Sequence, residues 1–337
     1  MTRILVTGGA GYVASITVDA LLAAGHDVVV LDDLTTGHRA AVPSEARLVV
    51  GSYSDGELVG RLLAAESIEA ILHCAARSLV GESIKDPARY FRDNVAGGIS
   101  LLESARGAGV DRFVFSSTAA VYGIPDTTPI PEDAALRPIN PYGESKRAFE
   151  AALGWFGRAY GLRSVTLRYF NVAGATERLG EDHDPETHLI PAVLAAAASG
   201  GPLTLFGDDY PTPDGTCVRD YIHVSDLADA HLRAIEATAP GDARTDEPLI
   251  CNLGNGGGFS NREVIAAAEV VVGRAIPYTV GPRRVGDPAT LVASAARASE
   301  VLGWRSGRSG RSGRSGLEEM VGSAWAWRRA HPEGYPD

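Results

Sequence analysis

Cysteine is scarce in this chain: Cys74, Cys217 and Cys251 are the only three, and no two of them have CxxC spacing. An odd number of widely separated cysteines gives no disulfide framework, so we expect a reducing compartment, the cytoplasm, and no bound metal. No run approaches the roughly 18–20 continuous apolar residues that span a membrane. The first ten residues lack a charged segment followed by an apolar one, so we expect neither a secretory signal nor a membrane partner.

Basic residues are also fewer than acidic ones. Lys and Arg number 31 against 42 Asp and Glu, which gives a formal net charge of −11. A nucleic-acid partner requires a basic face to neutralise phosphates, so the composition argues against one. The 337 residues are 45% apolar and 22% charged, which is typical of a globular protein rather than a disordered one. At about 150 residues per domain, this length predicts about two domains.

Strand and helix patterns alternate through the first half of the chain. Short uninterrupted apolar runs are typical of parallel strands that are buried on both faces. Helical spacing of apolar residues separates these runs, and such alternation predicts right-handed crossovers. We therefore predict an α/β fold with a Rossmann-type, doubly wound parallel sheet. The predicted strands cover residues 4–6, 28–31, 71–73, 113–115 and 165–167, and the predicted helices cover 13–24, 56–65, 87–108 and 142–160.

The second half of the chain differs from the first in the lengths of its predicted elements and loops. After about Gly174 the elements are shorter and the loops longer, with a polar segment at 174–186. We predict that residues 1–174 form the first domain, to which some later segments return. Residues 175–337 are predicted to form mainly a smaller C-terminal α/β lobe that binds the substrate, because loops on a rigid scaffold often carry ligands. Residues 306–316 repeat Ser-Gly-Arg, which predicts a flexible surface loop.

A glycine pattern follows the first strand: Gly8-x-x-Gly11-x-x-Ala14 opens the next helix. Glycine allows a positive φ at the tight turn, and the missing Cβ lets the backbone approach a pyrophosphate. The helix N-terminus then presents free N–H groups and the positive end of its dipole to the anion. Asp32 ends the second strand, where a carboxylate accepts hydrogen bonds from a ribose diol and repels a 2′-phosphate. The pattern predicts NAD rather than NADP.

Tyr142 and Lys146 are four residues apart, which places both on one face of a helix. Asn140 is suited to cap that helix and Pro141 to begin it. An ammonium beside a phenol favours the phenolate, so we expect Lys146 to lower the pKa of Tyr142 and make it a general base. Thr118 follows a predicted strand at the ligand-binding edge of the sheet, and we expect it to hydrogen-bond the reacting oxygen. Taken singly, these residues equally suit surface packing and a turn; their combination indicates proton transfer.

Further motifs accompany these residues along nearly the whole chain. They are TGGAGY at 7–12, VGES at 80–83, SSTA at 116–119, VYG at 121–123, YGESK at 142–146, LRYFN at 167–171, FGDDYPT at 206–212, DGT at 214–216, VRDYIHV at 218–224, PRR at 282–284, GD at 286–287 and HPEGYP at 331–336. With this set, the chain resembles the UDP-glucose 4-epimerases (UDP-galactose 4-epimerases) of the extended short-chain dehydrogenase/reductase family.

The resemblance implies reversible epimerisation at C4 of a UDP-hexose, UDP-galactose to UDP-glucose, through a 4-keto sugar with tightly bound NAD. It also implies a homodimer, with helices near 87–108 and 142–160 as candidates for the interface. The implied catalytic residues are Tyr142, Lys146 and Thr118. The implied NAD-binding residues are Gly8, Gly11, Tyr12, Val13, Asp32, Asp33, Ser52, Tyr53, Cys74, Ala75, Ala76, Asn94, Ser116, Tyr142, Lys146 and Tyr169. The implied UDP-sugar-binding residues are Thr118, Tyr142, Phe170, Asn171, His188, Leu189, Thr204, Leu205, Phe206, Arg219, Tyr221, Arg284, Asp287 and Leu291.

The chain departs from the family pattern at three positions. Ser52 stands where relatives often have an acid that holds adenine, and Ser78 stands where they often have a lysine that contacts NAD. We expect the loss of the lysine to loosen NAD, with the adjacent Arg77 as a partial substitute. Leu291 occupies the position that closes the sugar pocket, and its middle size leaves open whether N-acetylated sugars fit.

Related activities on this scaffold can be weighed from single residues, because fold alone does not settle function. A 4,6-dehydratase has Asp-Glu directly after the threonine, and a decarboxylase of sugar acids has Glu at the second of these positions. Ala119 and Ala120 stand there in this chain and cannot move a proton. Two alternatives stay open. One is a 4-epimerase for UDP-GlcNAc, UDP-xylose/arabinose or UDP-glucuronate; the other is a non-catalytic protein that senses NAD.

Overall fold

A computed structural model describes residues 1–241, 247–284, 286–307 and 314–336. Its strands are β1 (Arg3–Thr7), β2 (Asp27–Asp32), β3 (Arg47–Val50), β4 (Ala70–His73), β5 (Arg112–Thr118), β6 (Arg163–Tyr169), β7 (Asn171–Ala173), β8 (Thr204–Phe206), β9 (Val218–Arg219), β10 (Tyr221–His223), β11 (Leu249–Leu253), β12 (Phe259–Ser260), β13 (Thr279–Gly281) and β14 (Thr290–Leu291). Its helices are α1 (Tyr12–Ala23), α2 (Gly56–Ala65), α3 (Val80–Lys85), α4 (Pro87–Tyr90), α5 (Gly98–Gly107), α6 (Pro141–Tyr160), α7 (Leu189–Ser199), α8 (Val224–Ala237), α9 (Asn261–Val272), α10 (Ala296–Val301) and α11 (Arg314–Ala330).

Seven parallel strands form the central sheet, in the order β11-β6-β5-β4-β1-β2-β3. This confirms the Rossmann-type sheet, and the five predicted strands lie within β1, β2, β4, β5 and β6. The two outermost strands were not predicted. β3 is only half-buried although it contains the apolar run 48–50, and β11 arrives from far along the chain to pair with β6.

Helices cover both faces of this sheet, which is why its strands are apolar on both sides. In β1, Ile4 and Val6 pack against α1 and α8, whereas Leu5 between them packs on the other face, against α2, α5 and α6. The predicted helix 56–65 coincides with α2. The predicted helix 87–108 is in fact divided into α4, a π-helical stretch over Phe91–Gly97, and α5.

The smaller lobe packs around α7, α9 and α11, whose buried side chains share one apolar cluster. The division at residue 174 stays a prediction, although β11 and α8, which lie beyond it, belong to the layers around the central sheet. Of the Ser-Gly-Arg repeat, residues 308–313 lie outside the described residues. Within the described ranges, no helix combines the length and the apolar character that crossing a membrane requires.

Candidate active site

A cavity of about 600 Å³ opens at the carboxyl ends of β1 to β6, the edge at which parallel α/β sheets bind ligands. The structure brings most of the predicted cofactor residues and several predicted substrate residues to this one space. They are Gly8, Gly11, Tyr12, Val13, Asp32, Asp33, Ser52, Tyr53, Cys74, Ala75, Ala76, Thr118, Tyr142, Lys146, Tyr169, Phe170, Asn171 and His188.

The glycine turn between β1 and α1 forms one wall of the cavity. Gly8 has a φ of +74°, and a Cβ on it would lie 2.6 Å from the backbone nitrogen of Ala75. A Cβ on Gly11 would meet nothing closer than the Gly8 carbonyl oxygen at 3.4 Å. Gly11 precedes α1 and offers no side-chain cap, so the first N–H groups of this helix are left for an anion. This cradle fits the pyrophosphate of NAD.

Alanine substitutions in this turn should separate folding from cofactor binding. Gly8→Ala should destabilise the protein and abolish NAD binding, since the left-handed conformation alone costs about 1–2 kcal/mol and the new methyl overlaps the backbone of Ala75. Gly11→Ala should keep the stability but weaken NAD binding, because its methyl occupies the space that a pyrophosphate approaches. Urea denaturation and NAD content after purification measure the two effects.

The control is Gly60→Ala on α2, where a Cβ meets nothing within 4 Å. It should retain NAD and gain about 0.5–1 kcal/mol of stability, as expected for alanine in a helix interior. A Gly11→Ala protein that is as unstable as Gly8→Ala would contradict the assignment of Gly11 to the cofactor.

Asp32, at the end of β2, links the glycine turn to the next loop. Its carboxylate accepts hydrogen bonds from the backbone nitrogens of Ala10 at 2.9 Å and Leu34 at 2.8 Å. Burial raises the pKa of Asp32, and the two N–H donors oppose that rise. The group is therefore held in a fixed position at the cavity wall, with lone pairs that suit the hydroxyls of a ribose.

Tyr142 and Lys146 lie in the first turns of α6. As predicted, the side chain of Asn140 caps this helix by accepting from the nitrogen of Gly143 at 2.8 Å, and Pro141 is its first residue. Thr118 is the last residue of β5, and its side chain lies near the Tyr142 phenol. The strand end and the helix start thus bring the three predicted catalytic residues to the same cavity.

The electrostatics of Tyr142 differ from the sequence-based expectation. Burial raises the pKa of Tyr142, and the nearby Thr118 side chain opposes the rise only in part. Lys146 does not lower it: its Nζ donates to the Ser116 carbonyl at 2.8 Å and lies 4.6 Å from the centre of the Phe115 ring. Burial also lowers the pKa of Lys146 to about 8. The expectation that Lys146 lowers the pKa of Tyr142 was wrong, because desolvation of the buried phenol is the largest effect and raises it.

A buried polar network lies behind the catalytic residues. The Arg168 guanidinium forms an ion pair with Glu150, 2.6 Å between Nη2 and Oε2, and donates to Tyr122 at 2.8 Å. Tyr122 in turn donates to Asn252, and Ser117 donates to Glu150. The network joins α6, β5, β6 and β11 behind the cavity wall. Sequence reasoning missed it, although Arg168 is part of the LRYFN motif.

Two predicted cofactor residues lie behind the cavity wall rather than in it. The Asn94 side chain accepts from the nitrogen of Arg77 at 2.8 Å and donates to its carbonyl oxygen at 3.0 Å. Ser116 contacts Cys74 and His231 with its hydroxyl, 3.1 and 2.8 Å away. Asn94 and Ser116 are both buried. Each contacts a residue that lines the cavity: Asn94 contacts Arg77, and Ser116 contacts Cys74.

The remaining predicted substrate residues form a second group on the smaller lobe. Arg219 pairs with Asp287, and the Arg284 guanidinium lies 4.3 Å from the centre of the Phe206 ring. Leu291 is the strand partner of Arg219 and packs against the same apolar cluster as Phe170, which lines the cavity. Asp287 therefore orients Arg219. The other members of the group are Leu189, Thr204, Leu205 and Tyr221.

Several cavity residues were not predicted as site residues. Glu181 and His183 come from the polar segment after β7. Arg77 and Ser78, in the loop after β4, were considered only in place of the lysine that contacts NAD in relatives. The Arg77 guanidinium pairs with Asp93 at 3.1 Å. The pattern of acids and histidines at 181–188 was the available signal, but no periodicity showed that this loop turns toward the sheet. The others are Ala14, Leu31, Thr35, Thr36, Gly37, Gly51, Ser54, Val80, Asp93, Ala120 and Val172.

The chain is similar to known proteins over most of its length. Residues 4–254 match the model of the NAD dependent epimerase/dehydratase family. The chain is 48% identical to a UDP-glucose 4-epimerase of Lactobacillus helveticus, with 99% of each chain covered.

Solved structures agree over the same length. A UDP-glucose 4-epimerase from Brucella ovis in complex with NAD superposes with a TM-score of 0.90 at 43% identity, covering 96% of this chain and 98% of that one. One from Bifidobacterium longum in complex with NAD⁺ and UDP has a TM-score of 0.90 at 36% identity, covering 99% and 100%.

Proposed function

Because this chain belongs to the NAD-dependent epimerase/dehydratase family, we propose that it interconverts UDP-galactose and UDP-glucose by epimerisation at C4, with NAD held in the protein. The observation that carries the proposal is the meeting of Thr118, Tyr142 and Lys146 in the cavity that the glycine turn also lines. Full-length similarity to UDP-glucose 4-epimerases supports the same reaction.

NAD is assigned to the side of the cavity formed by the first half of the chain. The N-terminus of α1 and the turn at Gly8 and Gly11 would hold the pyrophosphate, and Asp32 would accept hydrogen bonds from a ribose. Ser52 and Tyr53 line the cavity beyond Asp32, next to Asp33. Bound NAD supplies a hydride acceptor that can return the hydride to the same carbon.

Tyr142 is assigned as the acid and base. Its phenol takes the proton of the sugar 4-hydroxyl when C4 is oxidised and gives a proton back when the 4-keto group is reduced. Thr118 holds the reacting oxygen through its hydroxyl and keeps the phenol aligned. Lys146 fixes the end of β5 through Ser116 and keeps a positive charge beneath the site. Because burial raises the pKa of Tyr142, formation of its phenolate depends on nearby positive charge, which NAD⁺ would bring to the cavity.

UDP is assigned to the smaller lobe. Arg219 and Arg284 carry permanent charge and several donors, which suit a diphosphate. Asp287 holds Arg219 in place, and Asn171 and His188 face the cavity where the sugar would meet Tyr142. Leu291 packs against the same apolar cluster as Phe170, which lines the cavity, so it is the residue we expect to limit the size of the sugar. A 4-epimerase for another UDP-sugar uses the same machinery.

A coupled assay tests the proposal directly. The purified protein is incubated with UDP-galactose without added NAD or NADH, and the reaction is stopped. UDP-glucose is then measured in a second reaction that contains a UDP-glucose dehydrogenase and the NAD⁺ which that dehydrogenase reduces. We expect conversion, because the cofactor is regenerated in each turnover. Parallel reactions with UDP-GlcNAc, UDP-xylose and UDP-glucuronate establish the range of sugars. No conversion of UDP-galactose by protein in which bound NAD has been verified would refute the assignment.

We propose that the protein is a homodimer that assembles through α5 and α6. These helices, together with the adjoining Phe91–Gly97 stretch, expose Phe91, Ile99 and Trp155, and Trp155 is 66% exposed. Exposed apolar side chains on neighbouring helices favour burial against a second copy. A cytoplasmic location is proposed from the low cysteine content alone.

Trp155→Glu should convert the dimer to a monomer in analytical ultracentrifugation, since it places a charge in the apolar contact. The matched control is Ile124→Glu, at a loop position that is 60% exposed and lies outside both helices. A wild-type protein that sediments as a monomer, or a Trp155→Glu protein that stays dimeric, would contradict the proposed interface.

A further inference from the structure

Four side chains with metal-ligating atoms converge in the connection between β7 and α7. Glu181, His183, Glu186 and His188 each offer one such atom, and these atoms all lie within 4.8 Å of one another. Three of the four, Glu181, His183 and His188, also line the cavity described above. The cluster therefore lies at the edge of the nucleotide cleft, not on a remote surface.

The separations within the cluster resemble those of ligands around one ion. Glu181 Oε1 lies 3.1 Å from His183 Nδ1 and 2.8 Å from His188 Nδ1, and Glu186 Oε1 lies 3.0 Å from His188 Nδ1. Tetrahedral zinc with bonds of about 2.1 Å places its ligand atoms about 3.4 Å apart.

The donor set favours a transition metal. Imidazole nitrogen suits Zn²⁺, Co²⁺ and similar ions, whereas Mg²⁺ and Ca²⁺ take all-oxygen sites. Two carboxylates and two imidazoles in their neutral form balance the charge of one divalent cation, so the ion has to displace the proton that Glu181 and Glu186 favour on His188. Glu181 has only 9% of its side chain exposed, so a cation bound there is partly withdrawn from water and attracted more strongly.

We propose that Glu181, His183, Glu186 and His188 form a binding site for one divalent transition-metal ion of the zinc class. The ion would join the two ends of the 181–188 loop at the edge of the cavity. This departs from the expectation of no metal, which rested on the cysteine spacing alone. The site stands on its own residues and requires no particular reaction in the cavity.

The same separations also suit hydrogen bonds between histidine and carboxylate, so the test needs a signal from the ion itself. The NAD-containing protein is freed of metals with EDTA and titrated with CoCl₂, whose visible d–d bands distinguish a protein-bound tetrahedral ion from the hydrated ion. ZnCl₂ competition and metal analysis after dialysis give affinity and stoichiometry. We expect one ion per chain, displaced by Zn²⁺ and not by an equal concentration of Mg²⁺.

His183→Ala and Glu186→Gln should each weaken Co²⁺ binding by at least about tenfold. Glu177→Gln is the matched control, because Glu177 is an exposed carboxylate in the same connection and lies outside the cluster. Glu186→Gln keeps the size of the side chain, so a folding defect in His183→Ala leaves the test intact. A wild-type protein with only the spectrum of hydrated Co²⁺, or binding that neither substitution weakens, would overturn the proposal. Neither result bears on the epimerase assay.

Discussion

Tyr142→Phe should lower kcat for UDP-galactose by about 10²–10⁴-fold, the contribution typical of a positioned acid or base. The substitution removes the one oxygen that exchanges a proton with the sugar, and it leaves the ring packed in place. Steady-state kinetics with the coupled assay measure the loss. The protein should still contain NAD, because the glycine turn and Asp32 are untouched.

Tyr160→Phe is the matched control for this substitution. It removes a phenolic oxygen from the last residue of the same helix, where the ring is exposed and lies outside the cavity. Its kcat should equal that of the wild type. A Tyr142→Phe enzyme within threefold of the wild type would remove the proposed acid and base. Were the wild-type protein itself inactive and Tyr142→Phe without effect on NAD binding, the sensor hypothesis would take its place.

Arg168→Met should lower the free energy of unfolding by about 3–5 kcal/mol, as for other buried ion pairs that lose one partner. The substitution leaves the carboxylate of Glu150 buried with only Ser117 donating to it among the side chains of this network. Urea denaturation of the NAD-containing protein measures the change. Because Glu150 lies on the same helix as Lys146 and Tyr142, kcat should fall as well.

A double substitution separates the lost charge partner from the lost packing. Arg168→Met with Glu150→Met removes both charges, so it should recover most of the stability that Arg168→Met loses. Arg61→Met is the control, since Arg61 pairs with Glu57 on the exposed surface of α2 and should contribute at most about 1 kcal/mol. If the buried and exposed substitutions cost equal amounts, the network does not support the site.

Local chemistry made much of the site predictable. The glycine spacing, Asp32 at the end of β2, and the Asn140 cap depend on contacts between residues that are near in sequence or at the ends of adjacent strands. The predicted strands were confirmed for the same reason, because burial on both faces leaves an uninterrupted apolar run. β3, at the edge of the sheet, is only half-buried and was not predicted, although it too contains a short apolar run.

Contacts between residues that are far apart in the sequence could not be predicted from these local patterns. The ion pair of Arg168 with Glu150, the hydrogen bond of Tyr122 with Asn252, and the turn of the 181–188 loop toward the cavity each depend on how elements pack. The direction in which the pKa of Tyr142 shifts also depends on how the elements pack. Helical spacing showed that Lys146 is near, but only the packed structure showed that burial dominates.

The sequence by itself determined the parallel sheet and predicted the cofactor turn and the candidate proton-transferring residues, because periodicity and short-range geometry depend on neighbouring residues. Tertiary structure alone decided which charges are withdrawn from water, which side chains from separate elements meet, and that two histidines and two glutamates share one edge of the cleft. The physical reason is that desolvation and long-range pairing depend on the whole packed chain, and no local pattern contains them.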